Sequence, residues 1–158
     1  MIRTDMPEVL AIERASLEFA WTEEDFIRCL RQRNCIGMVV MDGDKIAGYM
    51  IYELHKNRLH ILNFAVSYAF RRNGYGRQMV AKLARKLSLD RRNRIMLEVR
   101  ESNLYAQLFF KACGFRAISV LRDFYEDAAE DAYLMQLSAS DDGPQSPGHV
   151  NRISRLVG

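Results

Sequence analysis

From Leu62 to Gln78 the chain reads as an apolar run, Leu62-Asn63-Phe64-Ala65-Val66, that breaks into a short turn with two arginines and two glycines and then turns helical. The run has the character of a buried strand. A strand that feeds a glycine turn at a helix start limits the folds available, because it implies a sheet with a helix leaving its end. It also makes a ready anion site. Glycine lets backbone approach a ligand closely, and the first-turn N–H groups of a helix have no intrahelical acceptor. The pattern Arg71-x-x-Gly74-x-Gly76 lacks the third glycine of a dinucleotide fingerprint and the Lys-Ser/Thr of a P-loop. Read alone, it is also compatible with a helix-entry turn whose arginines are simply solvated.

The surroundings of the turn are consistent with an anion partner. Between Arg71 and Arg94 the basic residues are offset only by Asp90, a field that suits a multiply phosphorylated small ligand and would also suit an RNA or ribosome surface. The net charge of the whole chain, +3, is too small to imply a nucleic-acid partner by itself. Three cysteines, Cys29, Cys35 and Cys113, are too few and too scattered for a disulfide framework, and no CxxC pair suggests a metal. No apolar run approaches the roughly 20 residues of a transmembrane helix, and no signal-peptide core is present, so a cytoplasmic protein is expected.

The remaining elements follow from capping, turn and periodicity signals. Asp5 and Pro7 open a helix carrying Val9, Leu10, Ile12, Ala15 and Leu17. Thr22-Glu23-Glu24-Asp25 opens a second, with Trp21 standing just before its cap, either packing the helix entry or walling an acceptor groove. Strands are expected over 36–41 and 45–54, joined through Asp42-Gly43, and over 58–67. A helix from Gly74 to about Leu89, a strand from Arg94 to Arg100 and a helix from Ser102-Asn103 to Ala112 follow, the last ended by Gly114. Two more strands, 116–122 and 132–137, flank an acidic loop, 123–131. The order α-α-β-β-β-α-β-α-β-β predicts an α/β (α+β) fold, a mixed, mostly antiparallel central sheet with helices on both faces. Residues 1–137 should form one domain of a size that buries a real core, and 138–158, rich in Ser, Asp, Gly, Pro and Gln, a flexible tail.

Taken with Asn63-Phe64-Ala65-Val66, the Arg71-x-x-Gly74-x-Gly76 turn, Leu97-Glu98-Val99-Arg100-Glu101-Ser102-Asn103 and Gly114-Phe115, the sequence resembles the GNAT acetyltransferase superfamily. Within it, the chain looks like the bacterial ribosomal-protein alanine N-acetyltransferases (RimI) and their relatives that acetylate protein N-termini. The resemblance covers roughly the first seven-eighths of the chain. It implies a GNAT fold and transfer of an acetyl group from acetyl-CoA to a protein N-terminal α-amine, by direct attack in a ternary complex. It places the cofactor on Phe64, Ala65 and Val66, on Arg71, Arg72, Asn73, Gly74, Tyr75, Gly76 and Arg77 around the pyrophosphate, and on Asn103 and Phe110. Glu98 matches the family's catalytic glutamate. A lone carboxylate in an apolar strand also suits a base of raised pKa, the alternative being an edge carboxylate paired with Arg100 or another cation. Trp21 and Tyr125 are the acceptor-binding candidates, the latter matching a tyrosine with which relatives grip a peptide.

One position departs from the family pattern. The family's general-acid tyrosine falls at Phe110, which has no proton to give, while Tyr105 lies on another face of the helix. The acidic residues Asp123, Glu126, Asp127, Glu130 and Asp131 are expected to carry no compensating base and so to attract a cationic amine. His55 and His60 are expected at the surface, and no metal is assigned. The expected partners are acetyl-CoA and a protein or peptide N-terminus, a ribosomal protein being one candidate, with no membrane and no direct nucleic-acid contact. A GNAT enzyme for a small amine or a lysine side chain, or a non-catalytic acyl-CoA-binding or ribosome-associated module, is the alternative.

Overall fold

A computed structural model describes residues 1–139. The tail expected over 138–158 therefore lies, from residue 140 on, outside the described residues. The elements are α1 (Met6–Ser16), α2 (Glu23–Leu30), β1 (Cys35–Asp42), β2 (Lys45–Leu54), β3 (Arg58–Val66), α3 (Tyr75–Ala84), β4 (Arg94–Arg100), α4 (Leu104–Ala112), β5 (Arg116–Tyr125) and β6 (Glu130–Ser138). Their order is the one the sequence predicts. The six strands are hydrogen-bonded in the order β1-β2-β3-β4-β6-β5. β3 and β4 run parallel, and β1–β2, β4–β6 and β5–β6 run antiparallel, so helices flank a mixed, mostly antiparallel sheet.

The chain divides into two compact units. One comprises Met1–His55 and Ile61–Lys82, the other Lys56–His60 and the chain from Leu83. The first has its own core, in which Val9, Leu10, Ile12, Phe26, Tyr49, Ile51 and Ala65 pack together. α1 contributes Val9, Leu10 and Ile12 of the apolar face read from the sequence, whereas Ala15 is exposed and Leu17 lies beyond the helix as its extended C-cap. The Thr22 hydroxyl accepts the Asp25 N–H at 3.2 Å while the Asp25 carboxylate accepts the Thr22 N–H at 2.9 Å, a reciprocal cap that fixes the start of α2. Asp5 behaves differently from expectation. It stands at the N-cap of α1, but its carboxylate turns back to accept the Ile2 N–H at 2.6 Å and caps nothing in α1.

Two glycines of this unit are dictated by geometry. A Cβ on Gly48 would lie 2.8 Å from the Ala65 carbonyl oxygen and 3.4 Å from the Val66 Cα, so a hydrogen there is what lets β2 pass beside β3. Gly43 turns the β1–β2 hairpin at φ 61°.

In the second unit β4 alternates as a half-buried strand should, with Ile95, Leu97 and Val99 buried and Met96, Glu98 and Arg100 partly exposed. α4 ends as the sequence predicts. Gly114 adopts φ 98°, its N–H donates to the Lys111 carbonyl at 3.0 Å, and the Phe115 N–H donates to the Phe110 carbonyl at 3.0 Å.

Two boundaries are corrected. α3 stops at Ala84, five residues before Leu89, because the Lys86 and Leu87 N–H groups donate to Leu83 and Ala84 and tighten the last turn into i→i+3 bonds. The acidic loop of 123–131 is largely hairpin. β5 runs on to Tyr125 and β6 begins at Glu130, with Tyr125 opposite Glu130.

Candidate active site

In the first unit, β3 alternates with Ala65 buried and Phe64 and Val66 partly exposed, then passes through a 3-10 turn, Tyr68–Phe70, into the arginine–glycine turn. The Arg71 Nε–H donates to the Val66 carbonyl at 3.1 Å, and its guanidinium lies 3.7 Å over the Tyr68 ring. Arg71 therefore braces the turn against the end of β3. Arg72 (φ 65°) and Gly74 (φ 82°) both take left-handed backbone. A Cβ on Gly74 would stand in open space, so this glycine answers to its φ and not to crowding.

The helical ladder of α3 opens with the Gln78 N–H donating to Gly74 at 3.0 Å, leaving the N–H groups of Tyr75, Gly76 and Arg77 ahead of it. Arg72, Asn73 and Arg77 are exposed around them. Tyr75 is held from the side, its phenol pKa raised first by a hydrogen bond with Asp42 and its ring edge-on to Phe70. Two left-handed residues, a helix start and exposed arginines are the donor set a pyrophosphate needs, so the residues present fit the phosphate end of a nucleotide thioester.

Trp21, on the loop between α1 and α2, belongs to a buried polar knot that sequence reading did not find. Glu13 of α1 has no exposed surface. Its carboxylate accepts the Trp21 backbone N–H at 2.7 Å, the Asn63 side-chain N–H at 3.1 Å, and the Tyr49 hydroxyl. Burial pushes the Glu13 carboxyl above its ordinary range, against the Trp21 and Asn63 donations. The only sequence signal was a carboxylate amid apolar Val9, Leu10 and Ile12. The Trp21 ring packs edge-on to Phe26 at 5.2 Å and also lines an open cleft of about 390 Å³ with Asp25, Arg28, Cys29, Gln32, Glu53 and Leu62. Both readings offered for Trp21 are thus compatible with its position.

In the second unit, Glu98 is half-buried on β4. Its Oε2 lies 2.6 Å from His60 Nε2, each side chain 19% exposed. His60, expected as a solvated residue, is therefore the partner of Glu98, a pairing across 38 positions that local sequence could not signal. His55 pairs with Glu53 at 2.9 Å. Arg100, the partner considered for Glu98, is engaged elsewhere. It binds Asp127 through both terminal nitrogens at 3.0 and 2.7 Å, reaches Glu130 at 3.4 Å, and stacks 3.8 Å over the Tyr125 ring.

The acidic hairpin accordingly does have compensating bases, Arg100 and Arg122, the latter 2.7 Å from Asp131. The Arg100 hydrogen bond lowers the Asp127 pKa, and Glu130, which accepts the Ser102 N–H at 2.7 Å, is lowered first by Ser102. Tyr125 is pushed up to about 12, first by burial, and so stays protonated. Asn103 caps α4, its side-chain oxygen accepting the Ala106 N–H at 3.1 Å, a role that does not use its two amide N–H donors. Phe110 is 3% exposed and sits edge-on between Phe109 at 5.0 Å and Phe115 at 5.2 Å.

A glycine turn whose donors fit a pyrophosphate, in a chain that also carries a shielded carboxylate on β4, suits an enzyme that takes a phosphorylated co-substrate. The model of the acetyltransferase (GNAT) family matches residues 6–115, and the chain belongs to that family; it is an acetyl-CoA-dependent N-acetyltransferase. It is 30% identical over 139 residues to the [ribosomal protein bS18]-alanine N-acetyltransferase of Salmonella typhimurium, covering 87% of this chain and 93% of that one. An N-alpha-acetyltransferase of Sulfurisphaera tokodaii is 27% identical, over 84% and 86% of the two chains. Among solved structures, the ribosomal-protein-S18-alanine N-acetyltransferase of Escherichia coli matches with a TM-score of 0.77 at 27% identity, over 89% and 91% of the chains. Among the described residues no helix is long and apolar enough to cross a membrane.

Proposed function

We propose that this enzyme acetylates the α-amine of a protein N-terminus, and that Glu98 is its general base. The observation that carries the base assignment is the Glu98–His60 pair, a carboxylate withdrawn from solvent in an apolar strand and fixed by one hydrogen bond at 2.6 Å. The acceptor class rests on the relatives, named for the alanine terminus of bS18 and for α-amines. A ribosomal protein is therefore the first acceptor to try.

Acetyl-CoA supplies an acyl carbon activated as a thioester. An ammonium has no lone pair, so a proton must leave the acceptor before or during attack, and Glu98 takes it directly or through water. Negative charge developing on the carbonyl oxygen needs a fixed donor, a backbone N–H of Phe64, Ala65 or Val66. Residues 71–77 hold the pyrophosphate, chiefly by backbone N–H groups, and the amide of Asn103 adds a contact. Phe110 offers only ring surface. The departing thiolate is a tolerable leaving group, and water protonates it. Trp21 and Tyr125 bind the acceptor, Tyr125 oriented by Arg100. The activity is assigned to residues 1–137 as one domain.

The test is mass-spectrometric. Peptides with free Ala, Ser or Met termini, lysine peptides and polyamines are offered with acetyl-CoA. Acetyl on the terminal amine is expected, and Glu98→Gln should lower kcat by about 10²–10⁴-fold with acetyl-CoA affinity unchanged. Full turnover in Glu98→Gln would refute the base. Product on lysine or polyamine alone would refute the acceptor.

A further inference from the structure

Of the two cysteines of the first unit, Cys29 lines the cleft beside Trp21 and Cys35 lies buried behind it in sulfur contact, and no role in acyl transfer uses either. Cys29 sits in the last turn of α2 and Cys35 opens β1. The Gln32 N–H donates to the Cys29 carbonyl at 3.0 Å and the Cys35 N–H to the Gln32 carbonyl at 3.1 Å. Two successive turns thereby fold the chain back, and the Cys29 and Cys35 sulfurs meet at 2.6 Å. A disulfide bond is about 2.04 Å, so the thiols stand within a small shift of bonding. Neither is joined in a disulfide in this structure. Cys29 is partly exposed and lines the cleft beside Trp21 and Arg28, whereas Cys35 is 6% exposed.

We propose that Cys29 and Cys35 form a reversible disulfide in exchange with low-molecular-weight disulfides such as glutathione disulfide, making this turn a thiol-modification site on the wall of the acceptor cleft. Cys29 is the sulfur a reagent can reach. Its thiolate attacks one sulfur of the reagent, forming a mixed disulfide and releasing one glutathione thiolate. The Cys35 thiolate then attacks the Cys29 sulfur, closing the protein disulfide and expelling the second. The protein loses two electrons and two protons, and glutathione disulfide becomes two glutathiones. Burial raises the pKa of both thiols, so exchange is slow at neutral pH. The ring is short and gains little from chain constraint, which keeps the bond readily reducible. Closure draws Cys29 toward β1 and fixes the last turn of α2, which also carries Arg28.

The effect on turnover rests on the N-acetyltransferase reading, whereas the bond itself does not. The full chain is equilibrated with graded glutathione and glutathione disulfide, alkylated and mapped by mass spectrometry. The expected result is loss of two alkylatable thiols and a Cys29–Cys35-linked peptide, absent from Cys29→Ser and Cys35→Ser, with Cys113 still alkylated. The same samples should shift the acceptor KM by about threefold or more, leave that of acetyl-CoA unchanged, and revert with reductant. A persistent glutathione adduct on Cys29 without a cross-link, or a cross-link formed only in urea, would overturn the site. A native cross-link with unchanged acceptor KM would overturn its coupling to the cleft. If the reduced protein turns over no acceptor, the peptide map alone decides, and the failure then belongs to the activity reading.

Discussion

Replacing Glu13 tests whether the buried knot under Trp21 holds the first unit together. Glu13→Ala deletes the shared acceptor of three donors, the Trp21 N–H at 2.7 Å, the Asn63 amide at 3.1 Å and the Tyr49 hydroxyl. A buried donor left without an acceptor costs about 1–3 kcal/mol, and the vacated volume adds a cavity term. Tyr49 can still reach the Asn63 oxygen, 3.3 Å away, so the sum is less than three full penalties. A loss of about 4 kcal/mol is expected, a large share of the 5–15 kcal/mol that hold an ordinary domain folded.

Glu13→Gln keeps the shape and an acceptor for Trp21 but removes the titration, and it should cost under about 1.5 kcal/mol at neutral pH. The pH dependence has a definite sign. The folded-state pKa of Glu13 is raised, so the folded protein holds its proton more tightly than the unfolded chain. That contribution is complete below the unfolded carboxyl pKa, about 4.3, and is lost as pH rises through the folded value, at about 1.4 kcal/mol per unit of difference. Glu13→Gln should lose this dependence. The chain has one tryptophan, Trp21 itself, so urea unfolding followed by its fluorescence reads the affected loop directly. A Glu13→Ala loss below about 1 kcal/mol, or the same pH dependence in wild type and Glu13→Gln, would refute the reasoning.

Two further substitutions probe the cofactor turn and the missing acid. Gly74→Ala places a Cβ on backbone at φ 82°, costing about 1–2 kcal/mol and weakening acetyl-CoA binding, measured by thermal unfolding and titration calorimetry; unchanged affinity would remove the turn from the site. Phe110→Tyr buries a hydroxyl among Phe109 and Phe115, so melting should fall by a few degrees with kcat unchanged, whereas a raised kcat would mean that position 110 does reach the leaving group.

The fold was legible because its elements announce themselves locally. The Thr22–Asp25 cap, the Asp42-Gly43 turn and the left-handed Gly114 each act within a few residues, and the structure realises all three. Of the two misread boundaries, the end of α3 is set by its own last-turn bonds, whereas the acidic hairpin depends on a distant partner. Asp123–Asp131 reads as a charged loop until Arg100 arrives from β4 and the hairpin itself sets Arg122 against Asp131. The same limit hid the chemistry around Glu98 and Glu13. A carboxylate in an apolar strand or helix is visible in sequence, but the imidazole 38 positions away that fixes Glu98, and the Asn63 amide 50 positions from Glu13, are products of the tertiary fold.

Arg72 is a non-glycine residue in left-handed backbone, a conformation that costs an L-residue about 1–2 kcal/mol. The neighbouring Arg71, bonded to Val66 and stacked on Tyr68, helps to keep the chain in that shape. The strain is met when the protein folds, not when a ligand arrives. An anion at this turn would therefore meet amides already aimed at it and would lose little of its binding free energy to ordering them. Association there should be governed by diffusion and charge rather than by a slow rearrangement of the loop.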